Sequence, residues 1–233
     1  SGNLKNPILG NISAQKNNIT AIVSLEGSLE KLNSCLQALN TWISQIIVVL
    51  PENNEIEKQI TNKFNVSVCL QKSSSTKSNW ESGLNQTNTP WALLIRSNEI
   101  VTGQLRQAIT EKIKTSGGEA YKYLLPLTMV FLKKRFKYPI DWNGSQPSLL
   151  VRTSKTINDV NQQRKYETLG GELVRYCEDT ISECAHSVIQ KAEERAASLA
   201  QHKTHFSTTS FFLRTVISVI KVFVRTYFLK KGF

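Results

Sequence analysis

Acidic side chains run out early in this sequence. Against 29 Lys and Arg stand 18 Asp and Glu, and none of the acids lies beyond Glu194. Seven bases follow that point (Arg195, Lys203, Arg214, Lys221, Arg225, Lys230 and Lys231), so the first 194 residues carry only +4 of the formal +11. A basic segment can meet nucleic acid or an anionic membrane, and the residues between its charges choose between them. Here they include many Phe, Leu, Ile and Val residues. There is no Arg/Gly-rich run, zinc-finger spacing or aromatic RNA-binding signature, so no nucleic acid is expected as partner. A nucleic-acid binder acting through the basic tail is kept as an alternative.

Cysteine is sparse as well. Cys35, Cys69, Cys177 and Cys184 form no close-paired framework and the opening residues do not read as a signal peptide, so a reducing compartment is the expectation. Cys184, His186, His202 and His205 make a poor zinc set, because Cys184 and His186 project about 200° apart on a helix. The run Ser73-Ser74-Ser75-Thr76-Lys77-Ser78 lacks the glycines that let backbone amides approach phosphate. It reads as a polar loop. No internal repeat is visible.

What is present is a core-forming pattern. With 40% apolar residues, 233 residues can bury one α/β domain plus an appendage. Residues 1–18 are polar and irregular. Ile19–Leu25 is a short β-branched run stopped by Glu26-Gly27, and Leu29, Leu32, Cys35, Leu36 and Leu39 follow at helical spacing with Ser28 placed to cap. Gln45–Leu50 is a second apolar run, closed by Pro51. Ile56, Ile60 and Phe64 mark a helix face, and Asn65–Leu70 a third strand. A short helix is expected over Asn79–Thr87, a buried strand over Trp91–Ile95, and a helix through Leu105, Ile109 and Ile113.

This alternation specifies right-handed parallel crossovers and a doubly wound sheet, whose ligand site lies outside the carboxyl ends of its strands. Extended segments follow at Tyr121–Leu127, Met129–Leu132 and Ser148–Arg152, and a charged helix over Thr180–His202. The expected division is an irregular segment 1–18, an α/β domain 19–179 and a helical extension 180–233.

The order of these pieces carries a resemblance: the Glu26-Gly27 turn, the Ile46-Ile47-Val48-Val49 strand, Asn79 at a helix start, then Trp91-Ala92-Leu93-Leu94-Ile95-Arg96-Ser97-Asn98-Glu99. The chain resembles family 2 glycosyltransferases. It is most similar to the bacterial lipopolysaccharide-core glucosyltransferases, whose chains end in an apolar basic segment like Phe223–Phe233. The resemblance implies an α/β, GT-A-like (Rossmann-like) mixed sheet flanked by helices, with C-terminal amphipathic helices. It also implies sugar transfer from a nucleotide diphosphate donor in envelope glycan assembly, by a protein that is cytoplasmic and peripheral on the inner membrane. The nucleotide-sugar site would comprise Ser24, Glu26, Leu50, Asn79, Arg96, Asn98 and Glu99.

Departures from the family pattern fall on its acids. The second strand should end in an Asp that binds the base, but here Leu50 offers no acceptor. Where the family has Asp-x-Asp followed by an acid, this chain has Arg96-Ser97-Asn98-Glu99. A Trp-Tyr-Pro-Asp segment corresponds to Trp142-Asn143-Gly144-Ser145, with Asp141 beside it as a reserve catalytic acid. A His-Glu pair corresponds to Tyr166-Glu167, leaving Glu167 as candidate base.

The family expects a divalent metal, yet its ligands are largely absent, so no metal and no cofactor is expected. Losing one electrostatic contact to the leaving group costs about 100- to 1,000-fold in turnover. The expectation is therefore a degenerate member with little or no transferase activity, acting as a binding or partner subunit. The alternative is an active metal-independent transferase in which Arg96, whose fork suits phosphate oxygens, replaces the cation and Glu167 serves as base. Otherwise Arg96 is a surface charge and Glu99 the first acid of a helical region.

If Ser210–Leu229 is helical, Arg214, Ser218, Lys221 and Arg225 form a narrow stripe within an apolar circumference. Together with Lys230 and Lys231, this makes residues 206–233 a surface for an anionic membrane, a protein partner or a second copy of the chain.

Overall fold

A computed structural model describes residues 16–52, 55–72, 75–115, 122–136, 147–153 and 167–177, with isolated positions between 180 and 193. The chain falls into two compact units, residues 1–128 with 146–176, and residues 129–145 with 177–233. No helix among the described residues is long and apolar enough to cross a membrane.

The first unit opens with β1 (Asn17–Ser24), α1 (Leu29–Asn40), β2 (Ile43–Pro51), α2 (Ile56–Lys63) and β3 (Ser67–Gln71). It continues with α3 (Thr76–Leu84), β4 (Trp91–Arg96), β5 (Glu99–Val101), α4 (Gly103–Thr115) and β6 (Lys122–Leu124). The chain then enters β7 (Leu127–Phe131), which leaves this unit after Thr128, and later returns with β9 (Leu149–Arg152), β10 (Glu167–Thr168) and β11 (Leu173–Tyr176). Among the described residues, a seven-stranded sheet has the order β10-β6-β9-β4-β1-β2-β3, in which β9 alone runs antiparallel to its neighbours β4 and β6. The expected α/β class with a mixed sheet is the one observed.

Strand periodicity distributes the core to two faces. Ile19, Ala21 and Val23 of β1 and Trp91, Leu93 and Ile95 of β4 pack with the apolar stripes of α1 and α4. The alternate residues Ile22, Ala92 and Leu94 pack with Trp80 of α3. Ser28 caps α1 by accepting from the Lys31 amide at 3.4 Å, as its position in the sequence suggests.

Two elements differ from expectation. Helix α3 begins at Thr76, inside the segment read as a loop, because seating Trp80 and Gly83 on the sheet requires the preceding turn to be helical. Glu99 does not start a helix; it opens β5, which pairs antiparallel with β11 through Arg175↔Glu99.

In the second unit, β7 continues from Met129 and turns through Leu132 and Lys133 into β8 (Lys134–Phe136), pairing Phe131 with Lys134 and Met129 with Phe136. Both turn residues are left-handed, with φ of 48° and 62°.

Gly83 sets how closely α3 approaches β1. A methyl group there would stand 2.3 Å from Ile22 Cγ2, and Ile22 is a stiff β-branched side chain fully buried in the sheet. Gly83→Ala is expected to lower stability by about 1–3 kcal/mol through overpacking, although alanine favours a helix by about 1 kcal/mol. A urea-unfolding midpoint equal to or above that of the parent protein would show that the helix can move away without cost.

Candidate functional site

Successive crossovers carry the chain from β1 to β2 and β3 on one side, whereas β4 lies on the other side of β1. The carboxyl ends of β1 and β4 therefore flank the switch point where an open α/β sheet offers a crevice. Ser24 and Arg96 are register partners there, and the Ser97 amide donates to the Ser24 carbonyl at 2.9 Å. Ser97 Oγ accepts from the Glu26 amide at 2.7 Å and donates to the Glu26 carbonyl at 2.5 Å. This ties the β1–α1 turn to the turn after β4. Gly27 takes a φ of 83°, a conformation that suits glycine.

Arg96 occupies the crevice end of β4, and it is 1% exposed. Strand alternation sends its side chain to the α3 face, with the guanidinium 5.2 Å from the centre of the Trp80 ring. Its Nε donates to Glu26 Oε1 at 2.9 Å, an oxygen that also accepts from Thr76 Oγ1 at 2.9 Å. Its Nη1 reaches Ser148 Oγ at 3.2 Å and Glu99 Oε1 at 3.4 Å.

Glu99 is fully buried, and both of its oxygens are engaged. Oε1 accepts from Arg175 Nε at 2.9 Å and Nη2 at 2.7 Å, while Oε2 accepts from the Arg96 amide at 2.8 Å and Ser148 Oγ at 2.7 Å. Two acids and two arginines thus cancel in charge, which is the condition under which buried ions are tolerated. Beneath them Cys35 Sγ lies 3.8 Å from the Arg96 carbonyl. Burial first, and the Glu99 charge second, push the Cys35 thiol up, so it stays S–H and donates to that carbonyl.

The divalent metal implied by the sequence resemblance does not fit this arrangement. A hard cation needs several oxygen ligands with free lone pairs, but Glu99 already accepts from five donors and faces two guanidinium groups that repel a dication. Among the described residues no group of three or more His, Cys, Asp or Glu could hold a metal ion.

The sequence-predicted residues separate into three sets. Glu26, Arg96 and Glu99 come together in the ion network, and Asn79 lies beside Ser24, donating from Nδ2 to Ser24 Oγ at 3.0 Å. Asn98 sits in the turn between β4 and β5, and among the described residues the buried amide oxygens of Asn79 and Asn98 have no hydrogen-bond partner. Arg96 is an interior ion, neither a surface charge nor a guanidinium presented to phosphate.

Leu50 needs correction: it is 1% exposed and packs in the α1 and α4 core, on the sheet face opposite Arg96 and Trp80, so alternation removes it from the crevice. Glu167 lies on β10 at the sheet edge, paired with Lys112 Nζ at 2.6 Å. Through the register Glu167↔Tyr123↔Leu150↔Leu93 it stands three strands from β4 and three residues short of Arg96. That places it about 17 Å away by strand spacing and rise. Glu167 and Arg96 therefore do not form one catalytic pair. Asp141 and the tail bases Arg214, Lys221, Arg225, Lys230 and Lys231 lie outside the described residues.

Arg175, Ser148 and Thr76 are not legible as site residues in the sequence. Arg175 is brought to Glu99 by an antiparallel pairing across more than 70 residues, and no local pattern announces it. An open groove of about 970 Å³ lined by Lys16, Trp91, Arg106 and Lys114 lies at the amino ends of β1 and β4, away from all of these residues.

Removing one member of the network should be costly, because the oppositely charged partners stay buried. Glu99→Gln is expected to destabilise the first unit by about 3–5 kcal/mol. Chemical unfolding followed by far-UV circular dichroism measures it, and a loss below about 1 kcal/mol, the range of exposed ion pairs, would contradict the network.

No family model and no curated protein matches the sequence. Among solved structures, the chain is similar to S. aureus TarS 1-349 in complex with UDP, at TM-score 0.49 and 13% identity, covering 69% of this chain and 60% of that one. It is similar to GalNAc-T7 with UDP, GalNAc and Mn2+, at TM-score 0.49 and 5% identity over 69% of this chain and 44% of that one. The inositol-1-phosphate CTP transferase from T. maritima gives TM-score 0.48 and 8% identity over 71% and 91%. The chain thus spans less than two thirds of the TarS structure. The similarity to each of these structures is distant.

Proposed function

We propose that this chain is a glycosyltransferase family 2-type protein of bacterial envelope and lipopolysaccharide glycan assembly, with little or no transferase activity, acting as a binding or partner subunit. One observation carries the loss of activity. The carboxylate that stands where the family binds its cation is fully buried between Arg96 and Arg175. Transfer from a diphosphate donor needs a cation aimed at the leaving group. Here the two cations at the end of β4 are already balanced by Glu26 and Glu99. Neither is presented to a phosphate.

What the crevice keeps is polar, and its partly exposed carboxylate, Glu26, is already bonded to Arg96 and Thr76. Asn79 donates to the Ser24 hydroxyl, and the amide oxygens of Asn79 and Asn98 are buried acceptors without donors among the described residues. Within this proposal, residues 206–233 hold the protein at an anionic membrane or on a protein partner, with Arg214, Lys221, Arg225, Lys230 and Lys231 as the basic edge.

A thermal-shift series with nucleotide diphosphate sugars, with and without manganese, tests the reading. Manganese is expected to change neither the melting temperature nor any response to the nucleotides, and donor hydrolysis should stay at the uncatalysed level. Arg96→Ala should lower the melting temperature of the ligand-free protein by several degrees, on the order of 2–4 °C per kcal/mol lost. A manganese-dependent stabilisation that Glu99→Gln abolishes would refute the proposal.

A further inference from the structure

The β7–β8 hairpin of the second unit uses unusual residues for its position. Residues 127–136 contain three consecutive bases, Lys133, Lys134 and Arg135, and no acid. All three are exposed, as is Phe136 at 37%, while Phe131 and Leu132 are half-exposed. The pairing Phe131↔Lys134 and Met129↔Phe136 puts Met129, Phe131, Lys134 and Phe136 on one face of the ribbon, with Val130 and Arg135 on the other. Leu132 and Lys133 form the tip.

That tip is a two-residue turn with both residues left-handed, a geometry that favours Asn-Gly. A leucine there is strained, and its side chain extends an apolar body beyond the last strand pair. An edge ribbon exposing aromatic and aliphatic groups among cations is amphiphilic along its length rather than across two faces. Such a surface matches an interface where hydrocarbon and negative charge lie within a few ångströms of each other.

We propose that this hairpin docks on an anionic lipid surface, with Phe131, Leu132 and Phe136 entering the headgroup–acyl boundary and Lys133 and Lys134 on the headgroups. Phe131 and Phe136 could stack on a base, but aliphatic Leu132 at the tip could not, and it favours an anionic lipid over nucleic acid.

The test uses the full chain and vesicles of phosphatidylcholine with about 30% phosphatidylglycerol, the acyl chains brominated in one series. Trp42, Trp80 and Trp91 are buried and Trp142 lies outside the described residues, so the reporter signal of Phe136→Trp is its emission after that of the parent protein is subtracted. The expected result is bromolipid quenching of the added emission beyond any seen in the parent protein. Lys133→Glu with Lys134→Glu should reduce partitioning onto these vesicles at least about tenfold, each cation contributing about fivefold near the surface.

Co-sedimentation through the tail, with no quenching in the Phe136→Trp variant beyond that of the parent, would overturn the proposal, as would equal partitioning of the double variant. Salt-sensitive binding of single-stranded polynucleotide, lost in the double variant while vesicles leave the added indole unquenched, would reassign the hairpin to nucleic acid.

Discussion

Glu99 is a carboxylate sealed from solvent, and its burial is possible only because two guanidinium groups converge on it. Arg96 comes from the end of the neighbouring strand and Arg175 from a strand more than 70 residues later. Ser148 and the Arg96 amide satisfy the remaining lone pairs, and Glu26 balances the second positive charge. An isolated ion in that position would cost several kcal/mol after relaxation, whereas the complete set is neutral and hydrogen-bonded. The network therefore behaves as a unit. It pins the β1–α1 turn, the end of β4, the start of β9 and β11 to one another.

The same unit explains why the switch point has its present character. A crevice at the carboxyl ends of parallel strands is normally a place where ligand charge is met by protein charge or metal. Here the protein supplies both signs itself. The polarity beside it is that of the Ser24 hydroxyl and the Asn79 and Asn98 amides, whose oxygens are buried.

Legibility differs between elements for physical reasons. The strands Ile19–Leu25, Gln45–Leu50 and Trp91–Ile95 are readable because buried parallel strands are near-continuous apolar runs. The start of α3 is not, since Thr76-Lys77-Ser78 has no apolar periodicity and becomes helical only because Trp80 and Gly83 must seat on Ile22 and its neighbours. Glu99 reads wrongly as helical because a single acid after a turn suits a first helical turn as well as a strand. Leu50 and Arg96 lie near the ends of strands of the same sheet, yet pleat parity sends them to opposite faces, and position along the chain alone does not reveal which.

The sequence by itself determined the α/β alternation, its parallel crossovers, and the scarcity of carboxylates at the end of β4, because burial periodicity and residue chemistry are local properties. Tertiary structure alone decided what Arg96 and Glu99 became. Their roles depend on Arg175, Ser148 and Glu26, which reach them only through strand pairing and a turn. A charge has no fixed function until its partners and its distance from water are set, and both are products of the fold.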